Sequence, residues 1–114
     1  MAIQSKVSQD QRFSSRVIAQ LDCRMEYNGS IYDAVIVDLS QKGALIMAPP
    51  MSSTDENIKI TIKSKHLQKE LILTGTVLRS TEVMTEQGKR RRFAMSFYES
   101  PLDLIILIGK LNAA

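Results

Sequence analysis

The chain of 114 residues has one cysteine, one histidine and no tryptophan. A lone cysteine excludes an internal disulfide, and one histidine with one cysteine cannot supply a closed zinc site. His66 lies in the basic stretch 63–69, where we interpret it as an exposed turn residue. Cys23 falls on the apolar side of an alternating stretch, which indicates a buried, unactivated thiol. We therefore expect no metal, no cofactor and no enzymatic activity.

Long apolar segments are also missing. The longest strongly apolar stretch spans residues 102–108 and is interrupted by Asp103, whereas a membrane-spanning helix needs about 20 residues. The N-terminal residues lack the apolar region of a signal peptide. With 44% hydrophobic and 24% charged residues, the composition is typical of a globular protein. We expect a single cytoplasmic domain without membrane insertion.

Alternation of apolar and polar residues predicts a mainly β fold. Every second residue from Val17 to Tyr27 is apolar, and Asn28-Gly29 favours a two-residue hairpin turn. The next run assigns Val35, Val37 and Leu39 to the core. Four more strands are predicted at 44–48, 58–62, 71–80 and 91–98. Without crossover helices between these six strands, we expect an antiparallel β-barrel.

Ser100-Pro101 changes the pattern to that of a helix. Serine is a favoured N-cap, proline is tolerated at the first helical position, and Asp103 complements the helix dipole. The predicted helix ends near Leu111 and is apolar on almost every side. It therefore needs cover from the mouth of the barrel or from another subunit, which makes a homodimer through this helix a candidate assembly.

These segments predict one domain over residues 1–114. Residues 1–16 are polar and rich in Gln and Ser, so we interpret them as a mobile arm. The β-barrel is expected over 17–99, and the C-terminal helix over 100–112.

Two arginines lie close together at the end of this arm. Arg12 and Arg16 are four residues apart, so they share a face in either a helical turn or an extended chain. A guanidinium group can bond a phosphate or the O6 and N7 edge of guanine, and it can stack on a base. Taken alone, the pair is also compatible with a solvated arm.

A second cluster follows at the end of the second predicted strand. If Val37 and Leu39 belong to the core, Asp38 and Ser40 project from the outer face of the sheet. A carboxylate can accept the N1 and N2 donors of guanine, and serine can pair with donors or acceptors. Gly43 permits a positive φ or the close approach of a ligand. The alternative is a strand that ends in a serine turn.

Together, Arg-x-x-x-Arg at 12–16 and Asp-x-Ser-x-x-Gly at 38–43 resemble the motifs of the PilZ domain family, bacterial receptors for cyclic di-GMP. The stretch Arg92-Phe-Ala-Met-Ser-Phe97 is similar to the last strand of that family. The resemblance implies that Arg12 and Arg16 clamp the phosphates and the Hoogsteen edge of guanine. It also implies that Asp38 and Ser40 hold the base and that Gly43 matches the family's glycine.

Three further residues are candidates for additional contacts. Ala94 stands where many PilZ relatives have glycine, which narrows the space beside the ligand by one methyl group. Gln11 occupies a position whose variation in the family is linked to the binding of one ligand or a stacked pair. Arg92 belongs to the basic run 89–92, which we interpret as a solvated hairpin end and, alternatively, as an extension of a positive groove.

The resemblance implies a cyclic di-GMP receptor that changes conformation when the ligand orders the arm, and that then signals to a protein partner. Motility, pilus or exopolysaccharide regulation would be the process. Two alternatives stay open: a PilZ-like adaptor that needs no ligand, and a small basic β-barrel that binds single-stranded nucleic acid. Stacking on bases needs exposed aromatic residues, and of the six Phe and Tyr, two are predicted to be buried, Phe93 and Phe97.

Overall fold

Six antiparallel strands form one closed sheet in the computed structural model, which describes residues 16–113. The strands are β1 (Arg16–Tyr27), β2 (Ser30–Ser40), β3 (Gly43–Ala48), β4 (Asn57–Ile62), β5 (Leu71–Thr85) and β6 (Gly88–Phe97), and helix α1 (Leu102–Ala113) follows. The sheet closes as a barrel in the order β1-β2-β3-β6-β5-β4. The predicted antiparallel β architecture with a C-terminal helix is confirmed.

The interior of the barrel is filled by the apolar side of each strand. Ile58, Ile60 and Ile62 are buried, as the alternation of β4 predicts. The rings of Tyr27 and Phe93 meet edge to face with their centroids 5.0 Å apart. The Tyr27 hydroxyl donates to the Asp55 carbonyl at 2.6 Å and accepts from the Asp55 N–H at 3.0 Å. This buried phenol thereby ties the β3–β4 loop to the core.

The β1–β2 and β5–β6 hairpins show how local sequence sets the turns. Asn28 and Gly29 both have positive φ, 55° and 75°, as a two-residue turn with the twist of the strands requires. The β5–β6 hairpin is longer than the sequence predicts, because pairing continues to Thr85 opposite Gly88. Its two strands therefore extend past the residues that line the core.

The alternation of β2 changes phase before its polar end. Pairing with β3 shifts register between Ile36 and Asp38, which is the signature of a β-bulge. Ile36 and then Leu39 are buried, whereas Val35 and Val37 are only half-buried. The prediction that placed both valines in the core is wrong. It assumed strict alternation of inward and outward side chains along β2, whereas the bulge inserts one extra residue into this alternation.

Helix α1 begins at Leu102, and its inner face closes against the barrel. Leu104, Leu107 and Ile108 are buried, and the helix packs next to β1. The N-cap prediction is wrong: the Ser100 hydroxyl donates to the carbonyl of Gln41 at 2.5 Å. Ser100 thus ties the segment before the helix to the β2–β3 turn.

Candidate functional site

The start of β1 and the end of β2 meet on the outer face of the barrel. In the antiparallel register Arg16 lies opposite Ser40, and Ile18 lies opposite Asp38. Arg16 is the first residue of β1, although the sequence pattern assigned residue 16 to the arm. The strand therefore fixes its backbone beside the polar end of β2.

Arg16 binds Asp38 through two hydrogen bonds. Its Nε donates to Oδ1 at 3.2 Å, and its Nη2 donates to Oδ2. This side-on arrangement uses the planar fork of the guanidinium against both carboxylate oxygens. The Arg16 side chain is 61% exposed and that of Asp38 is 20% exposed. The structure thus brings these two motif residues together on one surface.

The Asp38 carboxylate stabilises the charged form of Arg16. The hydrogen bond that Arg16 donates to Asp38, and then the negative charge of Asp38, raise the pKa of Arg16 above its usual value. Because the arginine is exposed, solvent screens the attraction, and the pair adds little to the stability of the fold. A ligand can therefore rearrange it at low cost.

The hydroxyl of Ser40 is used by the β2–β3 turn. It accepts the backbone N–H groups of Lys42 at 3.1 Å and Gly43 at 3.2 Å, and it donates to the Gly43 carbonyl at 3.3 Å. This is the serine turn that the sequence offered as the alternative. Ser40 therefore shapes the loop beside Asp38.

Gly43 lies where two strands approach very closely. A Cβ at this position would stand 2.1 Å from the Met95 carbonyl oxygen of β6. The positive-φ glycines among residues 16–113 are Gly29 and Gly88, so of the two properties that glycine permits, positive φ and close approach, Gly43 uses the second. The close approach of β6 requires a residue without a side chain here.

Two of the additional candidates lie further along the same outer face. Asp38 pairs with Leu45, and Leu45 pairs with Ala94, so Ala94 lies two strands away, about 10 Å. Arg92 is exposed and lies two residues before Ala94 on β6, where it pairs with Met47 of β3. Gln11 and Arg12 lie outside the described residues.

The sequence analysis missed the apolar surface beside Asp38. Ile18, directly across from Asp38, is 73% exposed, and Leu45 on the other side is half-buried. An isoleucine on the polar side of an alternating strand was the available signal. Asp38 thus has Ile18 on one side, and Leu45 followed by Ala94 on the other.

A groove of about 620 Å³ lies on the outer face of the barrel but contains none of the motif residues Arg16, Asp38, Ser40 or Gly43. It is lined by the flank of β2, including Val35 and Val37, and by the tip of the β5–β6 hairpin. The candidate site is therefore an exposed surface and not an enclosed pocket.

The other chemically reactive residues do not form a second centre. Cys23 is buried, and burial raises the pKa of its thiol to about 12. His66 is half-buried in the β4–β5 loop. Within residues 16–113 there is no group of three or more side chains suited to hold a metal ion. Over the same residues, no helix has the length and apolar character needed to cross a membrane.

The profile of the PilZ domain family matches residues 10–111. The chain belongs to the PilZ domain family. Among curated proteins, no relative matches it. The match spans both motifs and all six strands, so the family resemblance noted from the sequence is confirmed.

Solved PilZ structures share this fold. The PilZ domain of YcgR from Escherichia coli with c-di-GMP has a TM-score of 0.68 at 14% identity, covering 88% of this chain and 90% of that chain. The PilZ domain of CeSA from a cellulose-synthesizing bacterium has a TM-score of 0.62 at 24% identity, covering 87% and 99%. The Bacillus subtilis inhibitor of motility MotI/DgrA has a TM-score of 0.68 at 15% identity. Here the coverage is 97% of this chain and 51% of that chain, so this chain spans about half the length of MotI/DgrA.

Proposed function

We propose that this PilZ domain is a receptor for cyclic di-GMP and has no enzymatic role. The observation that carries the proposal is the two-bond contact between Arg16 and Asp38, which unites the two sequence motifs on one surface. The PilZ domain of YcgR from E. coli, which shares this fold, contains c-di-GMP, and this supports the same ligand here.

The chemistry of the surface matches a guanine base with an adjoining phosphate. The Asp38 carboxylate pairs with Arg16. A guanine can offer its N1 and N2 donors to the carboxylate, while the guanidinium turns to a phosphate or to the O6 and N7 edge. Ile18 on one side of Asp38, and Leu45 with Ala94 on the other, would give a base apolar side chains to lie against.

The remaining motif residues complete the proposed site in two ways. Ser40 and Gly43 hold the β2–β3 turn in the shape that presents Asp38. Arg12, with Gln11 before it, would close over the ligand from the arm, and Arg92 would contribute positive charge from β6. Closure of the arm over the barrel would alter the surface offered to a protein partner.

The process that this switch controls is part of the proposal. A motility role is supported by the likeness to MotI/DgrA, an inhibitor of motility, and the likeness to the CeSA PilZ domain of a cellulose-synthesizing bacterium supports exopolysaccharide regulation. We keep a cytoplasmic location and an unidentified protein effector as parts of the same proposal.

Calorimetric titration of cyclic di-GMP into the full chain tests the ligand and the site. We expect Arg16→Ala and Asp38→Ala each to weaken binding roughly 10- to 100-fold, the usual effect of losing one charged or two-bond base contact. Arg24→Ala is the matched control, because Arg24 lies on the same strand and pairs with Glu70 at 3.0 Å outside the motifs.

The outcomes separate the site from the ligand. Equal affinity in wild type and in both motif variants would refute the site assignment. If the wild type gives no heat with cyclic di-GMP, the domain is not a receptor for it, and the ligand-independent adaptor becomes the better function. A salt-sensitive gel shift with a single-stranded oligonucleotide, together with no response to the dinucleotide, would support nucleic-acid binding instead.

A further inference from the structure

Helix α1 has two apolar faces, and the barrel covers one of them. The buried face consists of Leu104, Leu107 and Ile108. On the opposite side Leu102 is 70% exposed, Ile105 is 40% exposed and Ile106 is 38% exposed. We call Leu102, Ile105, Ile106 and Gly109 the outer stripe, because their spacing places them on one side of a helix.

Gly109 is the feature of this stripe that the fold of the single chain does not explain. A Cβ added at Gly109 would meet nothing within 4 Å. Alanine would therefore fit, and it would favour the helix more than glycine does. A glycine in an exposed apolar stripe leaves a shallow gap, which is useful where another helix approaches closely.

We propose that the outer stripe binds the same stripe of a second copy, with the two helices antiparallel and the twofold axis between Ile105 and Ile106. Leu102 of each copy then lies opposite Gly109 of the partner subunit, so the most exposed side chain of the stripe fills the gap left by the glycine. Ile105 likewise faces Ile106 of the partner subunit. Because Leu102 and Gly109 are seven residues apart, about 10 Å along the helix, both contacts form at once.

The charges beside the stripe favour the same arrangement. Asp103 and Lys110 are seven residues apart, so they lie on one flank of the helix. A twofold antiparallel pair brings this flank of both copies to the same side and places each Asp103 near Lys110 of the partner subunit. A parallel pair would instead place the Asp103 and Lys110 flanks of the two copies on opposite sides of the contact, where the cross pairs do not form, and would leave the two glycines facing each other. Charge and shape therefore select the antiparallel pair.

The size of this contact predicts a weak dimer. One helix from each copy buries less than the roughly 1,600 Å² of a standard stable interface. We therefore expect a dissociation constant in the micromolar range or above. Sedimentation equilibrium of the full chain from about 1 μM to about 1 mM covers this range.

Substitutions in the stripe test its geometry. Gly109→Leu fills the gap, and Leu102→Lys replaces the apolar side chain that enters it with a charged one. Each variant should raise the dissociation constant of the dimer at least about tenfold. The matched control is Leu78→Lys on β5, since Leu78 is an equally exposed apolar residue, at 69%, away from the helix. Circular dichroism melting checks that each variant is folded, and Gly109→Ala should keep or raise the melting temperature.

Exchange of the charges tests the orientation. Lys110→Asp should weaken association, and the double variant Asp103→Lys/Lys110→Asp should restore it, because the cross pairs form again with reversed sign. A protein that stays monomeric up to about 1 mM would overturn the proposal. So would a dimer that Gly109→Leu leaves as tight as the wild type. Failure of the double exchange to restore association would overturn the antiparallel arrangement.

Discussion

The β2–β3 turn and the start of β1 meet at the candidate site, but they are held in place in different ways. In the turn, the hydroxyl of Ser40 makes three contacts with the backbone, and Gly43 is pressed against β6. The side chain of Arg16, by contrast, is mostly exposed and is bound through Asp38. Half of the site is thus part of the fold, and the other half can be rearranged by a ligand.

The fixed half also connects the site with the C-terminal helix. The carbonyl of Lys42 accepts the N–H of Phe97 at 2.8 Å, and the carbonyl of Gln41 accepts the Ser100 hydroxyl. The first donor ends β6, and the second lies between β6 and α1. Loss of a turn residue should therefore change the fold, whereas loss of Arg16 should change ligand binding alone.

Gly43→Ala should have the largest effect on the fixed half. Its new methyl group would collide with the Met95 backbone, so the strands must separate, and we expect the free energy of unfolding to fall by about 2 to 4 kcal/mol. Urea unfolding measures this loss. Gly75→Ala is a matched variant outside the motifs, because its Cβ would stand 2.0 Å from the Ser96 carbonyl oxygen of the same strand.

The two glycine variants divide fold from ligand binding. We expect both to lose stability to a similar extent. If Gly43→Ala unfolds at the same urea concentration as the wild type yet no longer binds cyclic di-GMP, the glycine serves the ligand, and our assignment of the turn to the fold is wrong.

Ser40→Ala should have a smaller effect in the same direction. It leaves the N–H groups of Lys42 and Gly43 without their shared acceptor, and a lost hydrogen bond of this kind costs about 1 kcal/mol. Arg16→Ala, on the exposed side of the comparison, should leave the urea midpoint unchanged within error. Equal midpoints for Ser40→Ala and the wild type would show that the turn does not depend on this hydroxyl.

Local alternation was enough to predict most of the fold. Spacing predicted the inward residues of β1 and the buried face of β4, which consists of Ile58, Ile60 and Ile62. Turn chemistry predicted the hairpin turn at Asn28-Gly29. Val35 and Val37 were misplaced because the bulge in β2 depends on pairing with β3, which is a contact between distant segments. The β5–β6 hairpin was predicted too short for a related reason, since its tip has strand pairing without a buried face.

The sequence predicted which residue types form the candidate site, but it did not predict the contacts that hold those residues in place. The resemblance to the PilZ motifs implied that Arg16 and Asp38 belong to one site, and the register of β1 with β2 brings them into contact. The close approach of β6 to Gly43 is not visible in the sequence, because it joins residues more than 50 positions apart along the chain. The exposure of Ile18 likewise depends on which strands flank it.

Cys23 extends the comparison along β1, since the strand carries a charged group at its exposed start and a neutral thiol in its interior. Burial, and then the charge of Asp22, raise the pKa of Cys23 to about 12 from an ordinary value of 9.0. Above pH 9 the unfolded chain therefore loses a proton that the folded chain keeps, and stability must fall as the pH rises toward 12.

Urea unfolding of wild type and Cys23→Ala between about pH 8 and about pH 11 isolates this contribution, because other titrating groups are common to both proteins. We expect the stability advantage of the wild type to shrink steadily with pH. An advantage that stays constant across this range, or native protein that iodoacetamide labels as fast as urea-unfolded protein, would contradict a buried neutral thiol.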